Sequence, residues 1–275
     1  MKTAFRYKDT LNMTNLTMLI TSKCTLQCKL CATYTTGHPH PKHYDYAILT
    51  KSVARYFDSV NKEMGIMTIS GGEPFMHPQL PEFLKFVSNY APRVKMIEII
   101  TNGTIVPSDR LIDAMRHCPK FNLMVDNYGA ELSVNLDTLV EKLERNDIGY
   151  RVRNYTQEDA HLGGWIDVSD FSEKHRTEAE IADIFHRCAY NNIHKNIDFI
   201  INGKVYMCYV NHDALPEVEE LPEESVNLMD TGLTNEEIAA AISNLRNRRF
   251  LLACTNCNGY LTEDGVRQKP AEQMD

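Results

Sequence analysis

Apolar positions recur at two periods along the first two-thirds of the chain. Short apolar runs predict strands at Leu16 to Ser22, Ile66 to Ser70, Val94 to Thr101, Phe121 to Val125 and Ile148 to Asn154. Between them the spacing lengthens to three and four residues. Leu49, Val53, Tyr56, Phe57 and Val60 share one face of a helix over Tyr46 to Asn61, and Leu80, Phe83, Leu84 and Val87 share a face of the next. Pro107, Ser108 and Asp109 open a third helix bearing Leu111, Ile112 and Met115; Leu136, Leu139, Val140 and Leu143 mark a fourth. Strands alternating with helices of this length predict βαβ units and a parallel sheet, the α/β class. Ligands of such sheets bind beyond the C-terminal ends of the strands.

The pattern changes after about residue 187. Asn196 to Ile201 and Lys204 to Val210 flank Asn202-Gly203, a strong two-residue hairpin signal. A helix follows from Thr234, with Thr234 and Glu237 set as a capping box and Ile238, Ile242 and Leu245 facing inward. This divides the chain into a core over 1–186, a small hairpin-plus-helix unit over 187–262 and a polar tail over 263–275, expected to fray.

Composition narrows the chemistry. With 275 residues, 43% apolar, the chain can bury one large core with or without a small second one. A formal net charge of −8 leaves no basic surplus for phosphates and argues against a nucleic-acid binder. No targeting segment opens the chain, and no run of about 18 apolar residues could span a bilayer. A cytoplasmic location is therefore expected, with no membrane partner. There thiols stay reduced, so eight cysteines read as metal ligands or catalytic groups.

Their positions are informative. Cys24, Cys28 and Cys31 lie within eight residues, just past the first strand. Four thiolates would saturate a cubane [4Fe–4S] cluster, whereas three in one loop leave one iron open to chelate a small molecule. A zinc loop completed by His38, His40 or His43 is the competing reading. Gly71-Gly72-Glu73-Pro74 follows the second strand and Asn102-Gly103 the third, so all three motifs fall at the ligand-binding rim. Glycine at the second position suits close backbone approach to a ligand.

The spacing Cys24-x3-Cys28-x2-Cys31, followed by Gly71-Gly72-Glu73-Pro74, resembles the signature of the radical S-adenosylmethionine (SAM) superfamily. The resemblance implies a partial (β/α)6 barrel whose open iron binds SAM. Electron transfer would then yield a 5′-deoxyadenosyl radical that abstracts a substrate hydrogen. It also implies a flavodoxin- or ferredoxin-type electron donor. Gly71, Gly72, Glu73, Pro74, Thr101, Asn102, Asp126 and Asn154 then become candidate SAM contacts. One departure stands out: Leu30 occupies the place where many members carry an aromatic residue against adenine.

Cys188, Gly203 and Cys208, with Cys254-x2-Cys257, resemble the short "twitch" form of the SPASM auxiliary-cluster extension. That implies a second, fully ligated [4Fe–4S] cluster, against the alternative of a structural zinc on the same four thiols. Cys118 reads as a small buried side chain. A core with a twitch unit is similar to 2-deoxy-scyllo-inosamine dehydrogenase-type enzymes, implying oxidation of a sugar or cyclitol with the auxiliary cluster as electron acceptor. The molybdenum-cofactor GTP cyclases share this layout but typically end in an Arg-bearing GGG tail, which this sequence lacks. Arg151, Arg153, Tyr155, His161, Trp165 and Asp167 are the candidate substrate contacts, with the catalytic base among them. Two other functions stay open: maturation of a ribosomally made peptide, and a non-catalytic iron–sulfur or zinc protein. The short segment ahead of the first strand favours a small substrate over a peptide.

Overall fold

The computed structural model describes residues 10, 13–33, 35–156, 160–167, 170–189, 197–208, 210, 212, 223–261 and 265–274. Of the expected elements, Asn196, Tyr209, Thr262 and residues 263, 264 and 275 of the tail lie outside them.

Five strands alternate with four helices: β1 (Asn15–Leu19), α1 (Tyr46–Ser59), β2 (Met64–Ser70), α2 (Leu80–Val87), β3 (Val94–Thr101), α3 (Asp109–Arg116), β4 (Phe121–Asn127), α4 (Leu136–Arg145) and β5 (Gly149–Asn154). Then come β6 (Trp165–Ile166), α5 (Glu178–Arg187), the strands β7 (Ile197–Ile201), β8 (Lys204–Tyr206) and β9 (Val226–Asn227), α6 (Asn235–Arg246) and β10 (Arg267–Gln268). The main sheet runs β5-β4-β3-β2-β1-β7-β8-β9. Its central strands are apolar on both faces, as β2 shows with Met64, Ile66, Met67 and Ile69 all buried. Helix α1 buries Leu49, Val53, Tyr56 and Phe57, and α2 buries Leu80, Phe83, Leu84 and Val87.

Six strands are parallel, but the sixth does not follow β5. β7, the first strand of the hairpin, pairs in parallel with β1 from Asn15↔Ile197 to Leu19↔Ile201. The hairpin predicted by Asn202-Gly203 therefore extends the core sheet, with Asn202 at φ +44° and Gly203 at φ +87° in the left-handed turn. Helix α6, capped by the Thr234–Glu237 box, locks this edge. Arg246 in its last turn reaches Asp198 of β7, which also accepts from the Tyr56 hydroxyl of α1. A second capping box, Thr177 with Glu180, starts α5.

The described part of the tail, residues 265–274, is held in place. β10 pairs antiparallel with β6, and residues 272–274 run beside the first cysteine loop. A polar composition hid this because its bonds are made by backbone and amide groups rather than by an apolar face.

Candidate functional site

Parallel pairing brings the C-terminal ends of β1 to β5 to one rim, with Leu19 beside Ser70, Thr101 beside Val125 and Asn127 beside Asn154. The loop after β1 carries Cys24, Cys28 and Cys31, and all three face one cavity of about 370 Å³. The glycine turn after β2 clamps this loop: Gly72 N–H donates to Thr21 O and Glu73 N–H to Lys23 O, both at 2.8 Å. A Cβ on Gly71 would stand 2.3 Å from Thr21 O, and one on Gly72 would stand 2.1 Å from Lys23 O. The approach of the cysteine loop by itself requires glycine at both positions. Gly71 and Gly72 also line the cavity; Glu73 and Pro74 do not.

Glu73 instead turns inward and is fully buried. Its carboxylate accepts from Thr101 Oγ1, Asn102 N–H and Phe75 N–H at about 3 Å each. Burial pushes its pKa up to about 7, against these three donors, which favour the charged form. Its role is to fix the β2 turn to the end of β3. Thr101 and Asn102 remain on the cavity wall.

The donor set suits an iron–sulfur cluster. Asn102 Nδ2 donates to Cys24 Sγ at 3.5 Å, Gln273 Nε2 donates to Cys28 Sγ at 3.3 Å, and the hydroxyls of Thr33 and Thr35 lie 3.3 and 3.2 Å from Cys31 Sγ. Soft sulfur ligands with such outer donors are what these clusters use. Burial pushes the Cys24 and Cys28 thiols up to about 11 and about 12, so their protons would leave only on binding metal. Among the described residues, no three His, Cys, Asp or Glu side chains gather tightly enough to hold one bare ion. His43, a candidate zinc ligand, has its Nδ1 2.9 Å from Thr21 Oγ1 and its ring edge-on to His77.

Across the cavity stands a polar pair framed by aromatic rings. Arg153 of β5 grips Asp126 of β4 through two bonds, and both line the cavity. Burial works against the guanidinium charge, but the Asp126 carboxylate holds Arg153 protonated above its usual range. Tyr155 stacks on Tyr128 with centroids 5.2 Å apart; Trp165 meets Tyr128 edge-on at 5.7 Å, and His161 meets Tyr155 at 5.8 Å. Burial pushes both tyrosine hydroxyls upward. Of the candidate substrate contacts, Arg153, Tyr155, His161 and Trp165 therefore share the cavity. Arg151 and Asp167 are off this wall. Arg151 lies two residues earlier on β5, further from the rim, where its half-exposed side chain pairs with the buried Glu98 of β3 at 3.4 Å. Asn154, a candidate SAM contact, is also off the wall and accepts from Asn127 Nδ2.

The second cysteine set partly converges. Burial raises the Cys254 thiol to about 12 and the Cys257 thiol to about 11, with a smaller upward push on both from the neighbouring Cys188. Backbone N–H groups of Gly259 and Tyr260 donate to Cys257 Sγ and Cys188 Sγ, each at 3.3 Å. Arg176 binds Cys257 O at 2.7 Å. Cys208, two residues past β8, is half-buried against the core. Tyr260 lines the main cavity while its backbone N–H binds Cys188, so one residue touches both sites. Cys118 is buried, as expected.

Tyr128, Tyr260 and Gln273 were missed from sequence. Tyr128 directly follows Asp126-Asn127 at the rim, so the strand-end rule could have found it. Gln273 had no local signal at all.

The family model described as the radical SAM superfamily matches residues 18–160, just over half of the chain. The chain belongs to the radical SAM superfamily. Membership implies a [4Fe–4S] cluster and SAM. A probable GTP 3′,8-cyclase of Archaeoglobus fulgidus is 29% identical over 123 residues, 43% of this chain and 38% of that protein. The matched part is thus well under half of that relative. Among solved structures, BtrN in complex with AdoMet and 2-DOIA is similar at 14% identity, over 95% of this chain and 98% of that one, with a TM-score of 0.53. The anSMEcpe structure with bound AdoMet is 12% identical over 94% and 92%, with a TM-score of 0.55. Streptococcus suis SuiB bound to precursor peptide SuiA is 13% identical over 92% and 72%, at 0.50. At these identities the likeness to superfamily structures is one of fold.

Proposed function

We propose that this chain is a radical SAM oxidoreductase acting on a small hydroxylated substrate of sugar or cyclitol type. The observation that carries the reading is that one cavity holds Cys24, Cys28 and Cys31 on one side and the Arg153–Asp126 pair with its aromatic frame on the other. When bound, cluster and SAM supply a 5′-deoxyadenosyl radical able to take hydrogen from unactivated carbon. In this reading Cys24, Cys28 and Cys31 hold the cluster, while Gly71, Gly72, Thr101 and Asn102 border the SAM side.

Arg153 and Asp126 offer donors and acceptors suited to vicinal hydroxyl or amino groups. Tyr128, Tyr155 and Trp165 give apolar rings that exclude water from the reacting carbon. His161 is the candidate base for a hydroxyl proton, by its chemistry and its place on the wall. Cys188, Cys208, Cys254 and Cys257 would hold the auxiliary cluster, and Tyr260 stands between it and the substrate.

BtrN, which shares this fold over nearly the whole of both chains, has AdoMet and 2-DOIA bound in its structure. The test is anaerobic reconstitution with iron and sulfide, reduction, and assay of 5′-deoxyadenosine with deuterated amino-cyclitols. Deuterium transfer into 5′-deoxyadenosine, lost in Cys28→Ala, is the expected result. SAM cleavage stimulated only by a peptide would overturn the substrate class, and no cleavage at all would overturn the enzyme reading.

A further inference from the structure

The segment 265–274 crosses from the substrate wall to the cysteine loop. At its start β10 pairs with β6, placing Arg267 opposite Ile166 and Gln268 opposite Trp165, both cavity-lining residues. Gly164 permits this, since a Cβ there would stand 2.8 Å from Gln268 O. At its end the strap joins the cysteine loop: Lys29 N–H donates to Glu272 O at 2.7 Å and Met274 N–H to Gln27 O at 2.8 Å. The Lys29 ammonium pairs with Glu272 at 2.6 Å. Ala271 between them is 1% exposed.

Gln273 sits at the centre of this contact, and its amide has only one consistent orientation. Gln27 N–H, a donor, lies 2.8 Å from Oε1, and Ala271 O, an acceptor, lies 2.7 Å from Nε2. The remaining Nε2 hydrogen is thereby aimed at Cys28 Sγ, 3.3 Å away. We propose that Gln273 is a positioning residue for the first cluster, carried by the strap to hold Cys28 and to donate a hydrogen bond to its sulfur. The inference rests on the reading of Cys24, Cys28 and Cys31 as cluster ligands.

A donor on a ligating sulfur favours the more negative, reduced cluster and raises its potential. Asn102 does the same for Cys24 at a longer distance. The strap also shields Cys28, leaving it 7% exposed.

The test compares wild type with Gln273→Glu, which keeps the acceptor for Gln27 N–H but removes the donor, and with Gln273→Leu. The readout is the midpoint potential of the cluster whose EPR signal changes on adding SAM. Both variants are expected to shift it to more negative values, Gln273→Glu the further, so that several-fold less cluster is reduced at a fixed potential. Wild-type potentials in both variants would overturn the proposal. A wild-type protein without a SAM-perturbed signal would instead overturn the ligand reading beneath it. Should the variants bind less iron, alkylation of the apoprotein decides: Cys28 labelled several-fold faster, with Cys24 and Cys31 unchanged, supports the role. Equal labelling of all three cysteines relative to wild type overturns it.

Discussion

Arg153 meets Asp126 as a fork, Nε to Oδ1 at 2.6 Å and Nη2 to Oδ2 at 2.7 Å, between adjacent parallel strands in register at these two residues. Asp126 is nearly buried, so Arg153→Ala would leave a carboxylate without its counter-charge. Loss of one partner of such a pair costs about 3 kcal/mol. Urea unfolding should show that loss, and Arg153→Lys should recover only part of it because an ammonium cannot make the fork. Equal stability of Arg153→Ala and wild type would show the pair to be ornamental.

Gly72→Ala puts a methyl 2.1 Å from Lys23 O and 3.1 Å from Cys24 Cβ. The β2 turn must then part from the cysteine loop, at about 1–3 kcal/mol for overpacking. Iron uptake on reconstitution should fall with little change in far-UV circular dichroism. Full iron loading of the variant would contradict the clamp.

Glu73 links pH to stability. Its folded pKa of about 7 stands above the ordinary 4.5, so the folded protein holds a proton that the unfolded chain releases first. This contribution is complete below about 4.5 and lost as pH rises through 7. Wild type should therefore lose stability between pH 5 and 8, by roughly the scale of a pKa shift in linkage, relative to Glu73→Gln. Parallel pH profiles for the two proteins would count against a raised Glu73.

The second cysteine set gives a stoichiometric test. Reconstituted wild type should hold about eight irons per chain, and Cys254→Ser with Cys257→Ser about four, keeping the SAM-perturbed EPR signal. One zinc per chain at those cysteines would remove the auxiliary cluster and leave the first untouched.

Much of this protein is legible along the chain, for a local reason. Apolar period separates strands from helices, and the placement of Cys24, Gly71 and Asn102 just past three strands locates the site because a parallel sheet puts those ends on one rim. The cysteine spacing needs no tertiary information, since one loop carries all three thiols.

What the tertiary structure alone decided is contact between distant segments. That β7 joins β1 depends on edge pairing, which no local pattern encodes. That Glu73 braces Thr101 and Asn102 follows from its depth beneath the turn. Arg151 and Arg153 share a strand face and look alike in sequence, yet Arg151, two residues further from the rim, pairs with Glu98 while Arg153 lines the cavity. Gln273 carries no signal of its own, because its amide meets the Cys28 sulfur only when a chain separation of 245 positions is folded back on itself.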